Sequence, residues 1–566
     1  MTARNAAIRA YDAYPSPDRK SALQYFHRAV RKRIAELRSQ KWDDLMSEIS
    51  PTHQAYWKLT KKLKSDTQSI MPPLNRVDLP PAFEDEEKAE CLAESLESQC
   101  TPTVDHVDYV HIAAVDREIE RRNAQPPSDP PLEPVKAAEV ESIIKALKVR
   151  KAPGSDGISN RVLKHFSVPL VYLLVSIFNA AMSNCSFPDS WKNADVIGIH
   201  KPGKKSTEPS SYRPISLLSS LGKIYERLLL NRLWSIVKSK NLIPDEQFGF
   251  RARHSCTHQV HRITEHILAS FNTKPKPLTT LAVFLDVAKA FDKVWHAGLV
   301  YKLYQFGVPD RLVLIIQDYL NNRSFRYRVE GVRSDPHPIR AGVPQGSALS
   351  PILFSLYTSD FPRVPNVEIS LFADDTAIYS TGHNPRYLRV YLQRAIVALG
   401  EWFRRWRIMV NPEKSVAMRF TQGIKRGMPS GHITMFDQPI PWARETKYLG
   451  VTLDYRLTFQ KHVKIVRDRA AFFQGRLFHL IGKRSKMSLR NKLTIYKACI
   501  RPVMTYASVV FAHAPPSTLE PLQIIQNKFV RSALGAHWFQ RNADLRSRSR
   551  ASLDPTIYEG CLSPLL

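Results

Sequence analysis

Three aspartates stand where an apolar sequence gives no local reason for a charge. Asp286 closes the run "LAVFLD", and Asp374 and Asp375 sit side by side in "SLFADDTAIYS" (370–380). The flanks "ISLFA" and "TAIYS" are short β-prone runs, so the pair falls at the junction of a hairpin, because Asp favours turns and interrupts strands. A pair of aspartates alone says little. In "KWDDLM", Asp43 and Asp44 are also adjacent, and a solvated helix face accounts for them. If the strand ending in Asp286 neighbours the hairpin, however, three carboxylates meet at one end of a sheet. Such a trio repels itself unless hard divalent cations lie among the acids, and oxygen-only donors select Mg²⁺ or Mn²⁺ over softer metals. Two such ions can activate an attacking hydroxyl and stabilise a leaving phosphate in an in-line displacement. The chemistry indicated is phosphoryl or nucleotidyl transfer.

The charge balance agrees with a polyanionic partner. Lys and Arg number 82 against 52 Asp and Glu, a formal net charge of +30, which marks nucleic acid or an anionic membrane surface. There is no run of 18 or more apolar residues, which argues against a transmembrane helix, and "MTARNAAIRAYDAYPSPDRK" has no apolar core of a secretory signal. Six scattered cysteines without a C-x-x-C pair give neither a disulfide framework nor a thiolate metal site, and point to a reducing, intracellular compartment. With 566 residues, 43% of them hydrophobic, the chain has material for two to four core-bearing units.

The elements that must position the acids can be read from periodicity. "TTLAVFLDV" (279–287) is nearly continuous apolar sequence, suited to a central strand buried on both faces. Ahead of it come a short strand, "ADVIGI", the turn "HKPGKKSTEPSSYRP" and a helix over 221–237. After it come a helical run (297–320), the strand "FRYRVEGV", and "GVPQGSALSPILFSLYTSDF", a Gly/Pro turn leading into a helix. The hairpin of Asp374 and Asp375 is next, then a helix near 386–406, the strands "VAMRF" and "YLGVTLD", and a basic helical stretch over 460–535. Upstream, residues 1–70 are basic and helix-prone, whereas 71–135 are Pro-rich and read as looser, with "AQPPSDPPLEP" as a linker. The stretch "RHSCTHQVHRITEH" gathers His254, Cys256, His258, His261 and His266, but it holds one thiolate. Val260, Ile263, Ile267, Leu268 and Phe271 recur there at helical spacing, which favours an amphipathic helix over a zinc site. Strands separated by helices, then a helical tail, argue for an α+β core with a helical appendage.

In this order the motifs resemble those of the reverse transcriptases of non-LTR (LINE-type) retrotransposons, most closely jockey-like insect mobile elements, over residues 136–540. The resemblance implies an α+β right-hand polymerase with fingers, a palm with an antiparallel sheet and a helical thumb, preceded by a basic helical extension. Its expected divisions are 1–135 for that extension and the Pro-rich linker, 136–275 for fingers and 276–455 for palm, with the whole reverse transcriptase core over 180–455. A helical thumb or connection over 456–540 and an altered, disordered tail over 541–566 complete the set. The implied activity is RNA-directed DNA polymerisation, adding dNTPs to a primer 3′-OH by a two-metal mechanism. Asp286, Asp374 and Asp375 would be the catalytic acids and the ligands of Mg²⁺ or Mn²⁺, with Asp375 the weaker ligand of the pair. Lys201 and Arg213, in "HKPGKKSTEPSSYRPISLLS", would grip the triphosphate. Phe291, five residues after Asp286, would fill the place of a ribose 2′-OH, and Gln345 and Gly346 would pack against template and incoming nucleotide. Lys414, in "VNPEKSVAMRF", would lie near the leaving pyrophosphate as a general acid, and Tyr448, Leu449 and Gly450, in "KYLGVTLD", would support the primer end.

The partners expected from the resemblance are template RNA, primer or target DNA and dNTPs, with no membrane, acting in the nucleus and in a cytoplasmic ribonucleoprotein. Related elements carry an upstream endonuclease, and the basic residues 1–135 are too few for one, so target nicking is not expected of this chain. Two alternatives stay open: an RNA-dependent RNA polymerase, against which Phe291 argues, and a catalytically decayed copy acting at most as a nucleic-acid-binding protein.

Overall fold

The computed structural model of the chain describes residues 2–48, 60, 63, 71–76, 79–104, 107–287, 289–422, 431–537, 539–542 and 544–545. Contacts divide it into two units, one of Ile70–Leu449 and one of Met1–Ser69 with Gly450–Leu566. The tail expected over 541–566 lies almost wholly outside the described residues. No described helix is long and apolar enough to cross a membrane.

Two sheets organise the larger unit. In the first, β1 (Asn193–His200) pairs antiparallel with β2 (Tyr212–Leu218) and parallel with β4 (Arg323–Val329), and β4 also takes β5 (Val332–Arg333) and β6 (His337–Ile339) antiparallel. The second sheet runs β12-β9-β3-β8-β7, with β3 (Thr279–Asp286) at its centre between β8 (Asp375–Gly382) and β9 (Val416–Phe420). Strand β7 (Glu368–Phe372) closes one edge and β12 (Trp442–Ala443) the other, while β10 (Ile433–Met435) and β11 (Gln438–Ile440) form a separate hairpin. Both partners of β3 are antiparallel. Every residue of β3 is buried until Asp286, the pattern of a strand covered on both faces. Helices Cys256–Phe271 and Pro385–Arg405 pack on this sheet. Val260, Ile263, Ile267 and Phe271 of the first of them are fully buried, so the His-rich stretch is a core helix.

Residues 71–135, read as looser, carry two helices, Asp85–Gln99 and Tyr109–Asn123, whereas the linker run 124–134 forms neither helix nor strand. The acidic run "EDEEKAE" begins the first of them: Glu84 and Glu87 form a capping box, and acids favour a helix N-terminus. Leu92, Ala93 and Leu96 of this helix join Val196, Tyr212, Phe325 and Tyr327 of the first sheet in one apolar cluster. Proline content hid a helix whose apolar face is narrow.

In the smaller unit, helices Thr2–Ala13 and Pro17–Glu48 pack together, and the second also meets the C-terminal residues. Asp43 accepts from Ser488 N at 2.9 Å and Asn491 Nδ2 at 2.8 Å, and Lys486 pairs with Glu36 at 2.7 Å. Strand Val451–Asp454 and helices Gln460–Arg476 and Pro516–Leu534 complete it, with Tyr496 stacked on Phe529 at 4.2 Å.

Candidate active site

The centre of the second sheet delivers the acids. Strand β3 leaves the core at its last residue and β8 enters the core after its first, so Asp286 and Asp375 are direct cross-strand partners at an exposed sheet end. Asp374 precedes β8 in the turn from β7. The backbone of Asp286 is fixed from the turn that leads into β9: its N–H donates to Ser415 Oγ at 3.1 Å, and its carbonyl accepts from Asn411 N at 3.0 Å. Although both acids of the turn reach solvent, the protein around them pushes the Asp374 carboxyl above its ordinary value, with Asp286 adding to the rise and Arg213 opposing it. Asp375 is pushed up to about 6 by partial burial and by the charges of Asp374 and Asp286. Among the described residues no Lys, Arg or His pairs with these three acids within 4.0 Å. Nor do the described residues hold any group of three or more His, Cys, Asp or Glu side chains arranged to bind a metal. The backbone therefore brings the trio to one place without gathering the side chains into a closed shell.

Beside the acids lies a cavity of about 560 Å³. Of the residues singled out in the sequence, Lys201, Arg213, Phe291, Gln345, Gly346 and Asp374 line it. Lys201 follows β1, and its Nζ donates to Ser210 O at 3.0 Å; burial, then Arg213, holds its pKa below the usual lysine range. Arg213 is exposed on β2, paired across from Ile199. Phe291 stacks on Phe354 at 4.4 Å and meets Phe250 edge-on at 5.6 Å, so one ring both packs and forms cavity wall. Gly346 has φ +138°, and a Cβ there would sit 2.5 Å from Ser216 O, so the turn demands glycine. Gln345 Nε2 donates to Asp292 at 2.8 Å.

The remaining candidates lie outside that wall. Lys414 is exposed at the acid end of the sheet, next to Ser415. Tyr448 is buried with its ring 5.2 Å from Phe284 of β3, Leu449 takes φ +45°, and Gly450, with φ +85°, opens the second segment of the smaller unit. Sequence reading missed Asp292, Lys289, Phe250 and Gln99, which also line the cavity. Asp292 carried a signal, an acid within the aromatic run "KAFDKVW"; burial raises its pKa against the hydrogen bond from Gln345. Gln99 carried none, because it reaches the cavity from the end of a helix in a stretch read only as looser and Pro-rich.

Acid-tipped antiparallel strands beside a basic cavity define a palm of the polymerase type. The chain matches the family of reverse transcriptases (RNA-dependent DNA polymerases) over residues 199–453. It is 34% identical over 558 residues to the probable RNA-directed DNA polymerase from transposon BS of Drosophila melanogaster, covering 96% of this chain and 60% of that one. To the RNA-directed DNA polymerase from mobile element jockey of the same organism it is 34% identical over 534 residues, covering 92% and 56%. The chain thus spans somewhat more than half the length of these relatives. A solved apo telomerase from Candida Tropicalis aligns over 50% of this chain and 59% of that one at 14% identity, with a TM-score of 0.34. Reverse transcriptases work with divalent metal.

Proposed function

We propose that this chain is the RNA-directed DNA polymerase of a jockey-like non-LTR retrotransposon, extending a primer 3′-OH with dNTPs on an RNA template. The observation that carries the reading is the pairing of Asp286 with Asp375 across β3 and β8, with Asp374 facing the cavity that holds Lys201 and Arg213. The donor set fits a hard cation: three carboxylates and no thiolate or imidazole, with Asp375 pushed up to about 6 by burial and then by the charges of Asp374 and Asp286. Asp286 and Asp374, with Asp375 as the weaker partner, would hold Mg²⁺. When bound, the ions supply charge neutralisation at the attacking and leaving oxygens.

The chain's own groups account for the rest. Lys201 and the forked guanidinium of Arg213 bind phosphate oxygens, and an anion beside Lys201 offsets the burial that lowers its pKa. Phe291, packed against Phe354 and Phe250, would fill the place of a ribose 2′-OH. Asp292 fixes the carboxamide of Gln345, which fills the cavity wall between nucleotide and template. Lys414, exposed at the acid end of the sheet, supplies a proton to the leaving pyrophosphate, and Tyr448, Leu449 and Gly450 support the primer end.

Primer extension by the purified chain tests this, with poly(rA)/oligo(dT) and a matched DNA template in parallel. Mg²⁺-dependent dTTP incorporation is expected on RNA and is lost in Asp374→Asn. Incorporation unchanged by that substitution overturns the assignment. Phe291→Ala should raise rNTP use, and unaltered sugar discrimination would remove its role.

A further inference from the structure

In the sequence stretch "QFGFR" (247–251) only Phe250 has been given a part so far, yet the stretch is bonded to the acid hairpin. Residue 247 makes a parallel bridge to Leu371 of β7. Phe248 N donates to Leu371 O at 2.9 Å, and Leu371 N to Glu246 O at 3.1 Å. Gln259, from the helix Cys256–Phe271, adds a bond from Nε2 to Leu371 O at 3.1 Å. The Gln247 side chain itself is 1% exposed. Its Oε1 accepts from two backbone amides, Gly249 N at 2.9 Å and Ala373 N at 3.1 Å.

Ala373 is the residue immediately before Asp374, and its φ is +56°, a left-handed conformation that alanine does not adopt routinely. Something must hold it there, and the Gln247 oxygen meets its N–H directly. Gly249 bears independently on the same spot. A Cβ on it would lie 2.3 Å from Ala373 N and 3.0 Å from the Phe372 carbonyl carbon, so the two backbones touch without room for a methyl group.

We infer that Gln247 is a positioning residue for Asp374: its carboxamide oxygen, seated against Gly249, holds the strained Ala373 turn that aims the acid pair. The inference rests on the reading of Asp374 as a metal-holding acid. Strain at such a turn persists only where the surroundings over-determine it. Gln247 and Gly249 over-determine it from outside the hairpin.

The test uses the full chain with Gln247→Met, Gln247→Glu and Gly249→Ala. Met matches the length of Gln without an acceptor for the two amides, whereas Glu keeps an acceptor oxygen whether ionised or protonated. Mn²⁺ binding to the metal-free protein is read by electron paramagnetic resonance, with dTTP kinetics and thermal unfolding alongside. Gln247→Met should weaken Mn²⁺ about ten-fold and lower kcat by about 30-fold, with KM for dTTP within about two-fold, because the phosphate grip is untouched. Gln247→Glu should stay within about three-fold of the parent in Mn²⁺ affinity and kcat, and Gly249→Ala should follow Gln247→Met. A folded Gln247→Met that binds Mn²⁺ like the parent overturns the inference, as does Gln247→Glu losing as much as Gln247→Met. If Gln247→Met does not fold, Gly249→Ala decides, and unchanged Mn²⁺ binding there overturns it equally. A parent chain that neither binds Mn²⁺ nor extends a primer would instead refute the polymerase reading.

Discussion

Glu90 and Glu97 close on His337, whose ring nitrogens lie 2.7 and 2.6 Å from the two carboxylates. Asp286, Asp374 and Asp375 meet no such partner among the described residues. Both groups are acids set close together within one unit, but the first is charge-closed by the protein and the second is left open. Lys302 and Asp360 repeat the closed solution in the core: the ammonium bonds Asp360 and the Tyr357 carbonyl and lies 3.8 Å from the centre of the Trp406 ring. Where the fold needs acids for stability it supplies the cation itself. Where it leaves them uncompensated, the stabilising charge has to come from outside.

Breaking each group should therefore register in a different measurement. The largest effect belongs to the open site. Asp286→Asn should lower dTTP incorporation by about 1,000-fold while leaving thermal stability unchanged or higher, since it removes repulsion; a loss of both together would make Asp286 structural. Next is Lys302→Met, which strips the buried cation from Asp360 and should cost about 2–3 kcal/mol in urea unfolding. Destabilisation below about 0.5 kcal/mol would show that the aromatic rings, not the charge, hold that core.

His337 gives a smaller, pH-dependent effect. Burial works against its protonation, but hydrogen bonds to Glu97 and Glu90 prevail and raise its pKa above the ordinary histidine value. A raised folded pKa means the clasp's full contribution is present below the unfolded value of about 6.5 and is lost as pH rises through the folded value. Unfolding temperatures at pH 6 and pH 9 should differ by a few degrees more in the parent than in His337→Phe; equal differences would dismiss the clasp. The smallest effect sharpens the comparison from the other side. Asp375→Asn should raise the unfolding temperature by about 1–2 °C in metal-free buffer, because one of three like charges is gone. A fall of the same size would mean the acids are held by bonds rather than merely left unpaired.

The site was legible where the chemistry contradicts its surroundings. An aspartate ending seven buried residues, as Asp286 does, and an acid pair splitting two apolar runs are visible without any structure. The phosphate-gripping Lys201 and Arg213 needed the family resemblance, because a basic Gly/Pro turn has an equally good explanation as a solvated loop. Gln99 and Gln247 were illegible for a different reason. Each acts through a long-range placement, one at the end of a helix hidden among prolines and the other through a backbone amide 126 residues away (373 − 247), and periodicity carries no information about either. The helix over Asp85–Gln99 was hidden in the same way: its surroundings are rich in proline, yet its buried side chains cover the first sheet.

That helix also has a consequence in time. Leu92 leaves the ribosome 233 residues before Phe325 (325 − 92), a member of the same apolar cluster, so at ordinary translation rates it waits roughly 10–50 s for its sheet. During that interval Leu92 and Leu96 can cover only β1 and β2, and the β1–β4 pairing they seal is itself parallel and distant in sequence. Assembly of the first sheet is thus a late step of synthesis, and the nascent chain upstream of it is the stretch on which a chaperone would act.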